Sequence, residues 1–452
     1  MGEIIFSPEL TIPDVLLLRN LADDIQRHEE IKGANTNVDR DEGYSSTGSG
    51  APKAVSEYGI SAERDASDIQ KLTGFNDPES KDFEPSVISS LDVGDLRAKL
   101  PAVVYEHVVL PYIAWARKIV RHETDVLMLT HLILYFSTSL PSAVLLFYRF
   151  SYLHGVLHFA MQFWYMGTYT LMMHQHIHMR GILAKRPLLR LFDTYFPYLT
   201  DPLMGHTWNT YYYHHVKHHH VEGNGPDDLS STLRYQRDEL LHFLHYIGRF
   251  FFLIWLDLPL YYLRKGQLAN AGRSAFWELS NYAAIYGMYR LNSRAAAFAL
   301  LGPLLLMRIG LMVGNWGQHA FVDADEPDSD FRSSITLIDV PSNRYCYNDG
   351  YHTSHHLNPR RHWRQHPVAF LQQKRTYAEE KALVFHDIDY LMITVRLLMK
   401  DYAHLARCLV PIGAQMDLTM EERAEMLRRH TRRFGEEEIR VKFARGEAVK
   451  SK

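Results

Sequence analysis

The chain carries 26 histidines in 452 residues, and they gather in short blocks. The first is His174-Gln175-His176-Ile177-His178. The second is His214-His215-Val216-Lys217-His218-His219-His220, and the third is His352-Thr353-Ser354-His355-His356. A fourth element reads Asn315-Trp316-Gly317-Gln318-His319. Residues three or four apart share one helix face, with Cβ atoms roughly 5–6 Å apart. That spacing pairs His174 with His178, His215 with His219, Asn315 with His319, and His352 with both His355 and His356. Imidazole ligates iron, copper, zinc and nickel. About nine converging histidines exceed the four ligands of a structural zinc, so two ions are the economical reading. A zinc protease motif needs Glu after its first His, where Gln175 stands. The cysteine ligands of the zinc deaminases are missing as well. Redox-capable iron is therefore the expected metal.

Each block needs an element to hold it. Asp125–Phe147 is an apolar run long enough to span a bilayer, and its Pro141 is tolerated in such a helix. A second run, Ser151–Met173, follows a short turn and ends in the first histidine block. Arg180, Lys185, Arg186 and Arg190 come next and mark this side as cytosolic. Leu240–Leu263 carries Arg249 and Asp257 and ends in Arg264 and Lys265. It reads as a helix lying in the cytosolic interface. Counting it as a span would put the later histidines on the wrong side. Ser274–Leu291 and Ala295–Val313 then form a second hairpin. The expected fold is an all-α integral membrane protein. It has four transmembrane helices in two hairpins, both termini cytosolic, and a cytosolic helical cap holding a histidine-ligated dimetal site.

Outside that core, residues 1–99 read as a polar, largely disordered region, with a short amphipathic stretch around Val15–Leu21 and a Ser/Gly-rich run at Ser45–Pro52. Residues 100–375 form the expected catalytic domain, and 376–452 a helical cytosolic region with a basic tail. Met1–Leu10 has neither the basic start nor the apolar core of a cleavable signal, so insertion is expected to use an internal span. A net charge of −3 argues against a nucleic-acid partner. Two cysteines, Cys346 and Cys408, rule out a disulfide framework.

Most histidines are not expected ligands. His154 and His158 have the HxxxH spacing but sit inside the second span, with His158 roughly 24 Å along the helix from His174. They read as hydrogen-bonded interior groups, and His206, His242, His245, His362 and His366 as structural. Neutral ligating imidazoles need acceptors for their second nitrogen. Asn224, Asp227, Asp228 and Asp349 are candidates by proximity.

The three blocks in this order, around two apolar hairpins, resemble the membrane fatty acid desaturase and hydroxylase superfamily. The resemblance spans roughly residues 125–367. It implies that His174 and His178 form the first box, His215, His219 and His220 the second, and His352, His355 and His356 the third, followed by Leu357-Asn358-Pro359. The second box admits other registers, with His218 and then His214 as alternate ligands. Asn224, four places after His220, and Trp208 agree with family boxes of the HxxxHH type. Asn315 and His319 resemble the NxxxH of stearoyl-type desaturases, where the His binds metal and the Asn acts through a bound water. The HPGG of a fused haem domain is missing. The resemblance thus implies a non-haem diiron enzyme that uses O2 to place a double bond in a lipid acyl chain. Its electrons come from a separate carrier such as a b-type cytochrome or a ferredoxin with its reductase. The endoplasmic reticulum is the implied location. A hydroxylase on the same centre and a non-catalytic metal-binding membrane protein are the alternatives.

Overall fold

The computed structural model describes residues 4–8, 10–41, 58–89, 91, 93–339 and 345–450. The Ser45–Pro52 run and the last two residues of the basic tail lie outside the described residues. The chain is mostly helical. Helix α1 (Ile12–Asp41) and α2 (Ala62–Gly74) open it, followed by α3 (Ala102–Ala116) and α4 (Val126–Tyr148). Next come α5 (Tyr152–Met179), α6 (Pro187–Tyr195), a π-helical turn at Tyr212–His219, α7 (Leu240–Arg264), α8 (Leu268–Leu291) and α9 (Ser293–Gln318).

Among the described residues, three helices are long and apolar enough to cross a membrane: α4, α7 and α9. Two match expected spans. The third, α7, is the helix that the sequence reading lays in the interface. The other expected spans form α5 and α8, long enough at 28 and 24 residues but less apolar. Contacts at the helix ends show how the five are arranged. The α4–α5 and α8–α9 turns lie together, where Asn292 Nδ2 donates to the Phe147 carbonyl at 3.5 Å and Phe298 packs on Phe150. At their opposite ends α5 and α9 deliver His174 and Asn315 to one place. Helix α7 behaves differently. Tyr246 Oη donates to the Ser230 carbonyl (3.1 Å), and Tyr262 Oη to the Tyr213 carbonyl (2.7 Å). Lys265 Nζ reaches Asp227 (2.7 Å). These contacts span roughly 28 Å of helix, yet all touch the segment around the second histidine block. Helix α7 therefore runs along that block.

The charged residues that blemish the second hairpin are paired. Glu278 of α8 receives the Arg308 guanidinium of α9, and Tyr282 joins them. A buried charge in a spanning region requires such a partner. In α4 and α5, Ser142 Oγ bonds His154 Nε2 and His158 Nδ1, each at 2.9 Å, as the interior reading of that pair expects.

Two expectations change in the cap. The all-α reading misses a two-stranded parallel sheet, β1 (Ile335–Asp339) with β2 (Leu383–His386). Both runs are short, apolar and rich in strand-forming residues. The polar segment after Glu30, which composition leaves without a core, is folded over residues 58–89. Helices α1 and α2 bury Leu17, Leu18, Leu21 and Leu72 against Phe370, Val384 and neighbouring cap residues. Their acids converge on Lys374, which is 2% exposed. Its Nζ donates to Asn20 Oδ1 (2.7 Å) and Asp65 Oδ1 (2.6 Å) and pairs with Asp24. Tyr351, just before the third block, donates to Asp14 Oδ1 at 2.9 Å. The N-terminal helices are thus part of the cap.

Candidate metal centre

Four short pieces of chain carry the site. The last turns of α5 present His174 and His178. The π-helical turn Tyr212–His219 runs into His220, and a π turn widens the helix so that residues five apart come together. Helix α9 ends at Gln318, with His319 as its cap. A six-residue helix, His352–Leu357, presents the third block from a fully buried position.

The nine expected histidines meet in two groups. His174, His178, His215, His220 and His355 form one, and His219, His319, His352 and His356 the other. In the first, four Nε2 atoms close a ring. His174 lies 2.8 Å from His215, His215 3.0 Å from His220, His220 2.8 Å from His355, and His355 3.0 Å from His174. A neutral imidazole Nε2 carries either one proton or one lone pair. Four of them in a ring can make at most two hydrogen bonds, so the protein alone cannot satisfy the four contacts. A square of edge about 2.9 Å has a half-diagonal of about 2.1 Å, the length of a metal–imidazole bond. The ring fits a cation, with the buried, unpartnered Nε2 of His178 as a fifth donor. In the second group Nε2 of His352 lies 3.2 Å from that of His319 and 3.1 Å from that of His356. Burial, and then the neighbouring imidazoles, hold His215, His220, His352 and His355 well below the usual histidine range. They are neutral at pH 7, the form that ligates.

The blocks are divided differently from what helical spacing predicts. His215 joins His220, five residues on, because the turn is π rather than α. His219 points to the other group. The third block splits too, His355 going one way and His352 and His356 the other.

Of the expected acceptors, Asp228 meets a ligand-group histidine. Its carboxylate accepts from His219 Nδ1 at 2.8 Å and from Ser230 N and Oγ. Burial alone would raise its pKa, but the His219 and His218 imidazoles bring it below the usual carboxylate range. Asn224 serves otherwise: its Oδ1 accepts from Thr232 N, and Thr232 Oγ1 donates to the His319 carbonyl. Asp227 faces His218 with its backbone carbonyl, at 3.3 Å. Asp349 accepts from Gln318 Nε2 at 3.0 Å, and burial pushes it up to about 7. Two partners escaped the sequence reading. The Ser333 carbonyl lies 2.6 Å from His319 Nδ1, and Asp330 Oδ1 lies 3.6 Å from His356 Nδ1. A backbone carbonyl leaves no signal in a sequence. Asp228→Asn should lower metal affinity or activity about 10–100-fold, the usual cost of removing such a partner. Metal titration of the purified variant checks this, and wild-type affinity with wild-type activity would rule the role out.

The two alternate ligands stand apart from both groups. His218 Nε2 accepts from Leu229 N at 3.1 Å, so that nitrogen is already used. His214 packs edge-on against Phe250 and lines a cavity. Asn315 donates from Nδ2 to the Ser230 carbonyl (2.9 Å) and Tyr246 Oη (2.6 Å) and lines the same cavity. His362 and His366 are engaged by Asp125 (2.8 Å) and Ser354 Oγ (2.9 Å), and His242 Nδ1 accepts from Gln236 N. That cavity, of about 420 Å³, opens between α5 and α9. Its apolar walls include Phe163, Met166, Leu171, Leu306, Met307 and Leu311, and one end is lined by His174, His215, His219 and His352. Along α5 it reaches from Phe163 to His174, roughly 17 Å.

No curated protein and no solved structure matches the chain. The family model for fatty acid desaturases matches residues 150–387, more than half of the chain and all three histidine blocks. The chain belongs to the fatty acid desaturase family.

Proposed function

We propose that this protein is a membrane-bound, non-haem diiron lipid desaturase that places a double bond in a fatty acyl or related chain. One observation carries the reading: two groups of histidines stand side by side at the end of a deep apolar cavity. The ligand set is His174, His178, His215, His220 and His355 for one ion and His219, His319, His352 and His356 for the other, with Asn315 beside the second. Two iron ions held there supply the reduction of O2 and the removal of hydrogen from an unactivated methylene, which side chains alone cannot do. The chain's own part is placement. The walls of α5 and α9 hold an apolar chain with one end against the histidines and keep bulk water away from it. Asp228 and the Ser333 carbonyl hold protons on Nδ1 of His219 and His319, turning Nε2 of each toward its group.

The contacts at the helix ends support four spans, α4, α5, α8 and α9, with α7 lying along the cap in the interface. The exposed Leu241, Leu244, Phe252 and Leu253 of α7 suit that position. The basic residues after α5 support a cytosolic cap with both termini on that side, and the proposed location is the endoplasmic reticulum. Electrons reach it from a separate b-type cytochrome or ferredoxin system.

Expression in a host of defined lipid composition tests the reaction. Gas chromatography of methyl esters, with sphingoid and sterol fractions run alongside, should show a new alkene. A hydroxylated product without an alkene would move the protein to the hydroxylases. Zinc near two equivalents, with no O2 consumption, would make it a metal-binding protein.

A further inference from the structure

Two small cavities, each with several polar side chains in a mainly apolar lining, lie beside the catalytic one. The inner, of about 50 Å³, is bounded by His206, Thr207, Thr210, His214, Glu278 and Arg308, among others. The outer, of about 70 Å³, is bounded by Met173, Thr194, Asp201, His206, Thr207 and Asn209, among others. His206, Thr207 and Tyr211 form walls of both. Tyr211, His214, Phe250 and Leu311 separate the inner one from the catalytic cavity. The three cavities therefore stand in series. The outermost reaches Thr194, which is exposed on α6.

Two polar atoms along this line lack protein partners. His214 Nε2 and Glu278 Oε2 are buried and unbonded, and both residues line the inner cavity. Such atoms call for water. A water occupies about 30 Å³, so each cavity has room for one or two. Thr170 connects the line to the catalytic cavity a second time, because its Oγ1 lies 2.9 Å from His206 Nε2 and it lines that cavity.

The proposed reaction needs such a route. A –CH2–CH2– unit, O2, two electrons from the carrier and two protons give –CH=CH– and two waters. The substrate supplies the other two hydrogens. The two protons must come from solvent, and the walls of the catalytic cavity above the histidines are apolar. We propose that the two small cavities form a water-filled proton inlet, running from the surface at Thr194 past Asp201, His206 and Thr207 to Tyr211 and His214. The inference rests on the desaturase reading. Groups at the mouth suit the task. Burial pushes the Asp201 carboxyl up to about 7, against the hydrogen bond from Tyr169 Oη at 2.6 Å and the nearby His176. Burial also takes His206 down to about 4, leaving it neutral and able both to give and to accept a proton.

Two measurements test the inlet on the full-length, metal-loaded protein. In Thr207→Val, which keeps the shape but removes a hydroxyl, and His206→Phe, alkene formation should fall about 10-fold or more, at or below the low end of what a positioned proton donor contributes. O2 consumed per alkene should rise, with hydrogen peroxide released and a larger solvent isotope effect, while metal content stays at the wild-type level. Wild-type coupling in both variants would overturn the inlet. The second measurement needs no turnover. Hydroxyl radicals generated from bound water by X-ray pulses should oxidise Met173, in the outer cavity wall, well above Met172, although the two are 5% and 0% exposed. Equal silence of the two means dry cavities and also overturns the inlet. A wild type that forms no alkene defeats the desaturase reading, and the labelling then decides the inlet by itself.

Discussion

Replacing His355 by alanine is expected to abolish lipid turnover, while His362→Ala leaves most of it. The two residues are seven apart and both partly or wholly buried, so neither position nor burial separates them. Their partners do. His355 Nε2 lies 3.0 Å from His174 and 2.8 Å from His220, inside the ring of four nitrogens. Its loss opens one group and leaves the other three imidazoles of the ring without a closed set. Turnover should fall by more than about 100-fold, beyond the upper end for removing an outer hydrogen-bond partner, and bound metal should fall with it. His362 instead bonds Asp125 Oδ2 at 2.8 Å, and Asp125 keeps Trp363 Nε1 and Thr124 Oγ1 as donors when the ring is removed. The expected effect is about 1–3 kcal/mol of stability, read as a lower melting temperature with turnover per folded molecule close to wild type. An equal loss of turnover in both variants, corrected for folded protein, would undo the assignment of the site.

Arg237→Met is expected to yield no folded protein, although Arg237 touches no histidine of either group. The residue is 0% exposed and bonds five backbone carbonyls. They are Thr232 (3.1 Å), Tyr235 (3.4 Å), Ala320 (3.1 Å), His430 (2.7 Å) and Arg432 (2.7 Å). Burial takes its pKa down to about 9, so it is still charged at pH 7. Ala320 follows His319 directly, and Thr232 bonds the His319 carbonyl. Arg237 thus ties the end of α9 to the loop after the second block and to the C-terminal segment. Hydrogen bonds to a charged group are each worth about 1.5–3 kcal/mol, against roughly 5–15 kcal/mol for a whole domain. Arg237→Lys should not rescue, because an ammonium has three donors and cannot match the planar fork. Size-exclusion profiles of detergent extracts provide the readout. A monodisperse Arg237→Met with a wild-type melting temperature would refute this account.

How much of this was legible beforehand depended on distance along the chain. The histidine blocks were readable because the ligating pattern is local: His174 and His178 need only one helical turn to face together. Their division into five and four was not. It turns on a π turn in the second block, and nothing in Tyr212–His219 announces that the helix widens there. Glu278 and Arg308 interrupt two separate apolar runs, and only the packing of α8 on α9 brings them together. The longest error was the N-terminal region. Its acids read as solvated because composition cannot show that Asp24, Asp65 and Asn20 share one buried lysine 350, 309 and 354 residues away. The charges of α7 led the sequence reading to lay it in the interface, although its length and apolarity equal those of a span.

That shared lysine sets an order of assembly. Helix α1 is made well before Lys374, with Leu17, Leu18 and Leu21 buried in the cap and Asp24 on the lysine. At ribosomal rates of about 5–20 residues per second, roughly 20–70 s pass between the synthesis of Asp24 and that of Lys374. During that interval all the apolar helices leave the ribosome. The apolar face of α1 therefore waits uncovered until the third histidine block and α1 can close on each other through Tyr351 and Asp14.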